Sequence, residues 1–384
     1  MTTTYFDVHV LQSVPPSNVN RDDTGAPKTA VYGGVRRARV SSQAWKRATR
    51  EAFKDLVDAS KLGSRTQRVI EQIAAEIVTI DDSLANEAEA IAEKVLAAVG
   101  IKLDKPKSKS KDPDEAAGTR TESAYLVFFS HLQIVKAAKQ AIEDHREGKP
   151  KFDKKVYKEI LQQDNSLDIA LFGRMIADLT DLGVDASAQV AHALSVHAVE
   201  SEADFYTAVD DYKVDDPDRD AGAGMLGTVE FNSSTLYRYA TVNVDQLAEN
   251  LGDAAAAEEA LTAFARGFVL SMPSGKVNSF GNTTVPAAVM YSVRSDRPIN
   301  FVEAFEDPVI HNDGYVRSAV ERLVDYATEI DQVYSPAHGY WTAGVGARAE
   351  RLDVLALRSS VDSAVEGSVR AALSAHLGQV KEDA

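Results

Sequence analysis

Two strand-forming stretches stand far apart in this chain. Tyr5-Phe6-Asp7-Val8-His9-Val10-Leu11 opens it, and Leu236 to Val244 (LYRYATVNV) comes much later. Both mix β-branched and aromatic residues, as strands do. Between them, from about Leu62 to Leu182, lie mainly helical, Ala- and Glu-rich segments. A sheet holding both strands must therefore close around a long insertion. Gly33-Gly34 leads into a further short strand, Val35 to Val40, and Val184 to Val199 returns to strand-like alternation. Thr228 to Phe231 resumes a strand after the acidic, Gly-rich loop Asp210 to Gly227, so that region reads as a long hairpin. A helix is expected from about Ala254 to Ser271 and a strand from Val285 to Val293. Further helices are expected near Phe301 to Phe305, Asn312 to Asp331 and Asp362 to His376. Strands split around helices in this order suggest an α+β fold with a ferredoxin-like core of RNA-recognition-motif type.

Charge points to a partner. The formal net charge is −16, yet Met1 to Lys54 carries nine Lys/Arg against four Asp/Glu. Lys28 to Arg50 holds seven basic residues and no acid. A concentrated basic patch on an acidic body is the pattern of a single nucleic-acid face. Ser41 or Ser42 suits the N-cap of the helix that follows. In that helix Trp45, Ala48, Ala52 and Leu56 form the expected core stripe, with Lys46, Arg47, Arg50 and Lys54 on another face. Lys151, Lys154, Lys155 and Lys158 fall at i, i+3, i+4 and i+7, one basic stripe if a helix runs through them. Lys102 to Glu115 is too polar to bury and reads as disordered.

Enzyme motifs fail on inspection. There is no cysteine, hence no disulfide, thiolate zinc site or cysteine nucleophile. Gly222-Ala-Gly224-Met-Leu-Gly227 spells a dinucleotide fingerprint but opens a strand rather than a helix. Asp216, Asp218 and Asp220 lack the turn glycine and closing glutamate of a calcium loop, and Gly275-Lys276 lacks the rest of a P-loop. No H-E-x-x-H or G-x-S-x-G occurs. The remaining catalytic candidate is Asp22-Asp23, adjacent carboxylates able to hold Mg²⁺ for phosphodiester cleavage. No apolar run reaches membrane-span length and no signal pattern opens the chain, so a cytoplasmic protein without cofactor or metal is expected.

The runs FDVHVLQS, NRDD, GAPKTAVYGGVRRARVSSQAWKRATR, DIALFGRM, AHALSVHAVESEADFYTAVDD, LGTVEF and LYRYATVNV, in that order, resemble the CasC family of type I-E CRISPR (Cascade) complexes. Leu56 to Lys149 is the weakest region of the resemblance. It implies a palm of RNA-recognition-motif type (1–55 and 184–384), helical fingers (56–183) and a β-hairpin thumb (200–234). It also implies a non-catalytic backbone subunit that stacks with copies of itself along a guide RNA (crRNA). The partners would be CasA, CasB, CasD, CasE and target DNA. Residues matching the RNA-contacting positions are Lys28, Ser41, Gln43, Lys46, Arg47 and Arg50, with Arg21 and Lys276 beside them. Met175 and Leu226 match apolar residues that wedge displaced bases; read without the resemblance, they are ordinary core residues. Lys154, Lys155 and Lys158, with Lys151 preceding them, match lysines along the duplex path. A guide of any sequence demands phosphate and ribose contacts rather than base readout. Two alternatives stand beside this: a metal-dependent RNase like type III backbone subunits, using Asp22 or Asp23, and a protein-only scaffold whose basic residues pair with its own acids.

Overall fold

The computed structural model describes residues 3–104, 121–176, 178–208, 225–310 and 313–382. The dinucleotide-like Gly222 and Gly224, the calcium-like Asp216, Asp218 and Asp220, most of the acidic loop and most of the Lys102 to Glu115 segment lie outside these residues. The start of that last segment is ordered pairing rather than disorder: Leu103–Asp104 forms a short ladder with Glu122–Ser123.

The chain folds into two compact units. Residues 1–52, 189–244 and 261–384 form the first, and 53–188 with 245–260 form the second. The first unit is built on a nine-stranded sheet. Its strands are β1 (Tyr5–Ser17), β2 (Thr29–Tyr32), β3 (Val35–Val40), β4 (Ala188–Val190), β5 (Ala193–Ser195), β6 (Glu202–Ala208), β7 (Met225–Asn243), β8 (Ala288–Arg294) and β9 (Gly339–Gly344). The order is β9-β8-β1-β7-β5-β3-β2, with β4 and β6 also pairing with β7. The two strands that stand far apart in sequence, β1 and β7, are antiparallel neighbours, with Val8 opposite Ala240 and Val10 opposite Arg238. The expected alternation from Val184 to Val199 condenses to the two short strands β4 and β5. The expected helix near Phe301 is a 3-10 turn.

Alternation along β1 sends its side chains to two faces, and both are covered. On one face Phe6 stacks on Tyr291, with ring centroids 5.6 Å apart. The Arg238 guanidinium lies 3.7 Å from the Trp45 ring and 4.7 Å from that of Phe268. On the other face Leu11, Tyr237, Tyr239 and Met290 join Phe301, Phe305 and the buried side of helix Val316–Val333 in one apolar cluster.

That second face hides a titratable pair. Asp7 accepts hydrogen bonds from Tyr239 Oη (2.9 Å) and the Ile299 N–H (3.2 Å). Burial nevertheless pushes its pKa up to about 6. His9 receives Tyr237 Oη at Nδ1 (2.9 Å) and stacks on Phe301, and burial, then Arg294, push it down to about 3. Asp7 therefore contributes stability at low pH that is lost as pH rises through about 4 to 6. His9 contributes stability above about 6.5 that is lost as pH falls toward 3. The two slopes oppose each other between pH 4 and 6. Asp7→Asn should lose stability relative to the parent by about 1.4 kcal/mol per pH unit on acidification through that window. Urea titrations at pH 4.5, 5.5 and 6.5 measure the difference, and a flat difference would refute the assignment.

The second unit is helical. Val69–Ile80, Ala88–Val99, His131–Arg146 and Lys154–Gln162 enclose a core that includes Ile73, Ile77, Ile91, Val95, Ala138 and Tyr157. Helix His131–Arg146 starts with a capping box. Ser130 Oγ accepts the Gln133 N–H, and the Gln133 side chain accepts that of Ser130. Residues 245–260 join this unit: Asn250 Nδ2 donates to the carbonyls of Ala170 (3.0 Å) and Asp185 (2.9 Å), and Lys61 pairs with Glu259 (2.6 Å).

Candidate nucleic-acid interface

In the first unit, a loop and a helix start converge. Asn18 is buried and donates its amide to the carbonyls of Gly25 (2.8 Å) and Glu230 (2.9 Å), which pins the loop from 18 to 28. Inside it the Asp22 carboxylate accepts the Thr24 hydroxyl (2.7 Å), the Thr24 N–H (2.9 Å) and the Ala26 N–H (3.0 Å). These bonds, the hydroxyl first, hold its pKa below the usual aspartate value. Asp22 is thus a turn-former, all three bonds going to its Oδ1. Arg21 and Asp23 are exposed beside it, around an open cleft of about 520 Å³ lined by Val19 to Gly25 and Gly275. Gly275 is required there, since a Cβ would sit 2.1 Å from the Val19 carbonyl oxygen. That contact sets Lys276, in left-handed conformation (φ 53°), next in the chain to the cleft's rim.

The loop's far end meets β3 and the helix Ser42–Leu56, here α1. The Lys28 N–H donates to the Asn20 carbonyl and the Lys28 carbonyl accepts the Arg39 N–H, both at 2.9 Å. Asn20 Oδ1 accepts the Ser41 N–H (2.9 Å), while Ser41 Oγ accepts from the Ala44 N–H (3.3 Å) as the N-cap. Lys28, Arg39, Ser41 and Gln43 are thereby held at one place. Arg39 also anchors its Nε on the Thr29 carbonyl (3.1 Å).

The buried stripe of α1 is Trp45, Thr49 and Phe53. The expected stripe through Ala48, Ala52 and Leu56 lies at the margin, half-buried, because Trp45 turns the helix to meet Arg238 and Phe268. At about 100° per residue, Gln43, Arg47 and Arg50 then turn away from Trp45 and Thr49, while Lys46 lies within about 20° of Phe53, at the margin of the buried stripe. Lys46 is half-buried, which lowers its pKa from the ordinary lysine value, and Arg47 is exposed. One member of the acid-free run does not belong to this surface. Arg37 is buried, its guanidinium donating to the carbonyls of Tyr32 (3.1 Å), Ser195 (3.0 Å), Phe305 (2.8 Å) and Glu306 (2.9 Å). In its place Asn20 and His192 join the cluster. His192 Nδ1 lies 3.4 Å from the Ser42 N–H nitrogen and 3.5 Å from Arg39 Nη1. Nothing in the local sequence marks either residue, because both enter through long-range contacts.

On the same unit, β6 and β7 form a hairpin with Phe205 opposite Thr228 and Thr207 opposite Leu226. Leu226 is 62% exposed and Phe205 64% exposed. The register places both on one face, and Phe205 carries no local signal in the sequence that singles it out. Tyr206 lies over Gly227, where a Cβ would meet the ring at 2.4 Å.

In the second unit the Gly173-Arg174-Met175 run forms a built tip. Gly173 has φ +77°, and a Cβ there would come 2.9 Å from the Val184 carbonyl. Arg174 is buried and exchanges both backbone hydrogen bonds with Val184 (2.9 and 2.8 Å). Its guanidinium donates to the Leu182, Leu161 and Phe128 carbonyls and to Gln133 Oε1. Met175, next in the chain, is thrown outward and is 89% exposed. The ordinary core reading therefore fails for both Met175 and Leu226. The expected four-lysine stripe changes too. The helix begins at Lys154, with Asp153 as N-cap accepting the Lys155 N–H (2.8 Å), so Lys151 precedes it. Lys158 is ion-paired with Asp181. Lys154 and Lys155 remain exposed on the helix.

Among the described residues no group of three or more histidine, aspartate or glutamate side chains is placed to hold a metal ion, and no helix is long and apolar enough to cross a membrane.

A sequence profile of the CT1975-like protein family matches residues 6–366. Among solved structures, a chain titled "CRISPR RNA-guided surveillance complex, pre-nicking" superposes with a TM-score of 0.81 at 36% identity, covering 96% of this chain and 100% of that one. A second, titled "CRISPR RNA-guided surveillance complex", gives 0.72 at 33% identity, covering 96% and 99%. No curated protein matches.

Proposed function

This chain belongs to the CT1975-like protein family, and from that premise we propose that it is a guide-RNA-binding backbone subunit of a CRISPR RNA-guided surveillance complex. The observation that carries the reading is the meeting of Lys28 and Arg39 at the start of α1, with Lys46, Arg47 and Arg50 following along the first three turns of that helix. Cations spread along a helix and a strand end hold phosphates without reading base edges, as a guide of arbitrary sequence requires.

The proposal extends to architecture. Strand order β8-β1-β7-β5, with helices between β1 and β5 and between β7 and β8, and β5 followed by β7 without a described helix, has the connectivity of a recognition-motif palm. The second unit would serve as fingers and the β6–β7 hairpin as thumb. Such palms in other proteins stack bases on an open sheet. Here helices cover both sheet faces, which favours the rim at α1 as the RNA path. Exposed Phe205 and Leu226, and separately Met175, are apolar groups suited to press against unstacked bases. Type I-E membership, stacking of copies along the guide, companions CasA, CasB, CasD and CasE, and contact of Lys154 and Lys155 with target DNA complete the reading. A non-catalytic role is supported by Asp22, whose Oδ1 serves its own turn and accepts three hydrogen bonds there. A nuclease would rely on Asp22 Oδ2 or on Asp23.

Native purification with companion subunits, followed by sequencing of bound RNA, tests the proposal. Guide-length RNA of varied spacer sequence is the expected result. A nucleic-acid-free complex would favour the scaffold, and Mg²⁺-dependent cuts in added target RNA the nuclease.

A further inference from the structure

His192 stands among donors and cations. Its Nδ1 faces the Ser42 N–H (3.4 Å) and the Arg39 guanidinium (3.5 Å), and both of these can only donate. Nδ1 must therefore present its lone pair, and the ring proton resides on Nε2. The charged groups that act on the ring from the packed elements are Arg39 on β3 and Lys28 at the loop's end. Its other neighbours at the start of α1, Ser41, Ser42 and Asn20, are neutral. We propose that His192 contacts the guide's phosphate backbone and takes up one proton from solvent as the RNA binds. The inference rests on the RNA-binding reading above.

The chemistry runs as an exchange of acceptors. A phosphate oxygen arriving among Lys28, Arg39 and the Ser42 N–H is a stronger acceptor than a neutral imidazole nitrogen and takes over those donors. Freed of them, Nδ1 protonates, and the imidazolium donates to the same phosphate. Burial, then Arg39 and Lys28, hold the free ring below the ordinary histidine pKa. The arriving polyanion offsets both cations and raises it. Between the free-state and bound-state values the complex holds more protons than the separate partners, so affinity rises as pH falls. One proton per site limits the gain to about tenfold per pH unit.

The test measures binding of the full-length protein to a uridine oligomer with hydroxyl ends, which has no group titrating near neutrality. Affinity is followed from pH 6 to 8 at fixed ionic strength. The expected result is a several-fold gain toward pH 6 in the parent. His192→Gln, which loses the titrating contact, should bind no more tightly than the parent does at pH 8 and should do so equally at every pH. His192→Arg, a permanent cation, should hold the tighter affinity throughout. A slope that survives in His192→Gln, or a flat parent profile, overturns the proposal. Absence of RNA binding at every pH overturns instead the reading on which it rests. A cooperative melt of each variant excludes misfolding as the cause.

Discussion

Arg174→Ala should destabilise the helical unit by about 3–5 kcal/mol, the cost of orphaning several buried acceptors and leaving a cavity. The guanidinium has no carboxylate partner among its hydrogen bonds. It donates instead to Leu182 O (2.7 Å), Leu161 O (2.8 Å), Gln133 Oε1 (3.1 Å) and Phe128 O (3.3 Å), and lies 5.4 Å from the Phe129 ring centroid. Burial lowers its pKa to about 10, so it stays cationic at neutral pH. One side chain thus joins the segments around residues 128, 133, 161 and 182. Met175→Ala, one residue on, should change stability by no more than about 0.5 kcal/mol, since Met175 touches mainly solvent. The same Met175 variant should nevertheless leave guide bases more reactive to chemical probes in the assembled complex. Urea unfolding of the two variants decides the first claim; a loss under about 1 kcal/mol for Arg174→Ala would sink it. Unchanged base reactivity in Met175→Ala would remove the wedge reading while leaving the structural account intact.

Joint replacement of Lys46, Arg47 and Arg50 by alanine should weaken guide binding about a hundredfold near 0.1 M salt. On single strands each neutralised phosphate contributes about −0.7 to the slope of log K against log salt. Removing three phosphate-neutralising cations should reduce the magnitude of that slope by about 2. The weakening should be the same for every guide sequence, because phosphates and not base edges are held. Alanine is the best helix former, so the stability cost is confined to the packing lost with the half-buried stems of Lys46 and Arg50, about 1 kcal/mol each. Affinity measured over a salt series for two unrelated guides gives both quantities. An unchanged slope, or a weakening confined to one guide, defeats the phosphate reading.

Strand and helix types are largely legible in the residues themselves. LYRYATVNV is a strand because β-branched and aromatic residues alternate onto covered faces, and Ala254–Leu270 is a helix because Ala, Glu and Leu dominate it. The acid-free run from Lys28 to Arg50 was legible as a basic surface for the same local reason: charge is a property of composition. What the run could not declare was which cations stay outside. Arg37 and Arg47 are the same residue type, and only the carbonyls of Tyr32, Ser195, Phe305 and Glu306, brought from distant segments, turn the first into a structural anchor. Lys158 lost its freedom to Asp181 in the same way, and His192 gained a place beside Arg39 and Ser42. Met175 and Leu226 show the converse. As apolar residues they belong to a core by composition, and they stand in solvent because Arg174 and the β6–β7 register leave them no core to enter. By itself the sequence determined the kinds of elements, the sign and place of the charge, and the family. The tertiary structure alone decided which side chains are spent on holding the protein together and which remain to meet a partner, since burial and hydrogen-bond partnership depend on residues remote in the chain.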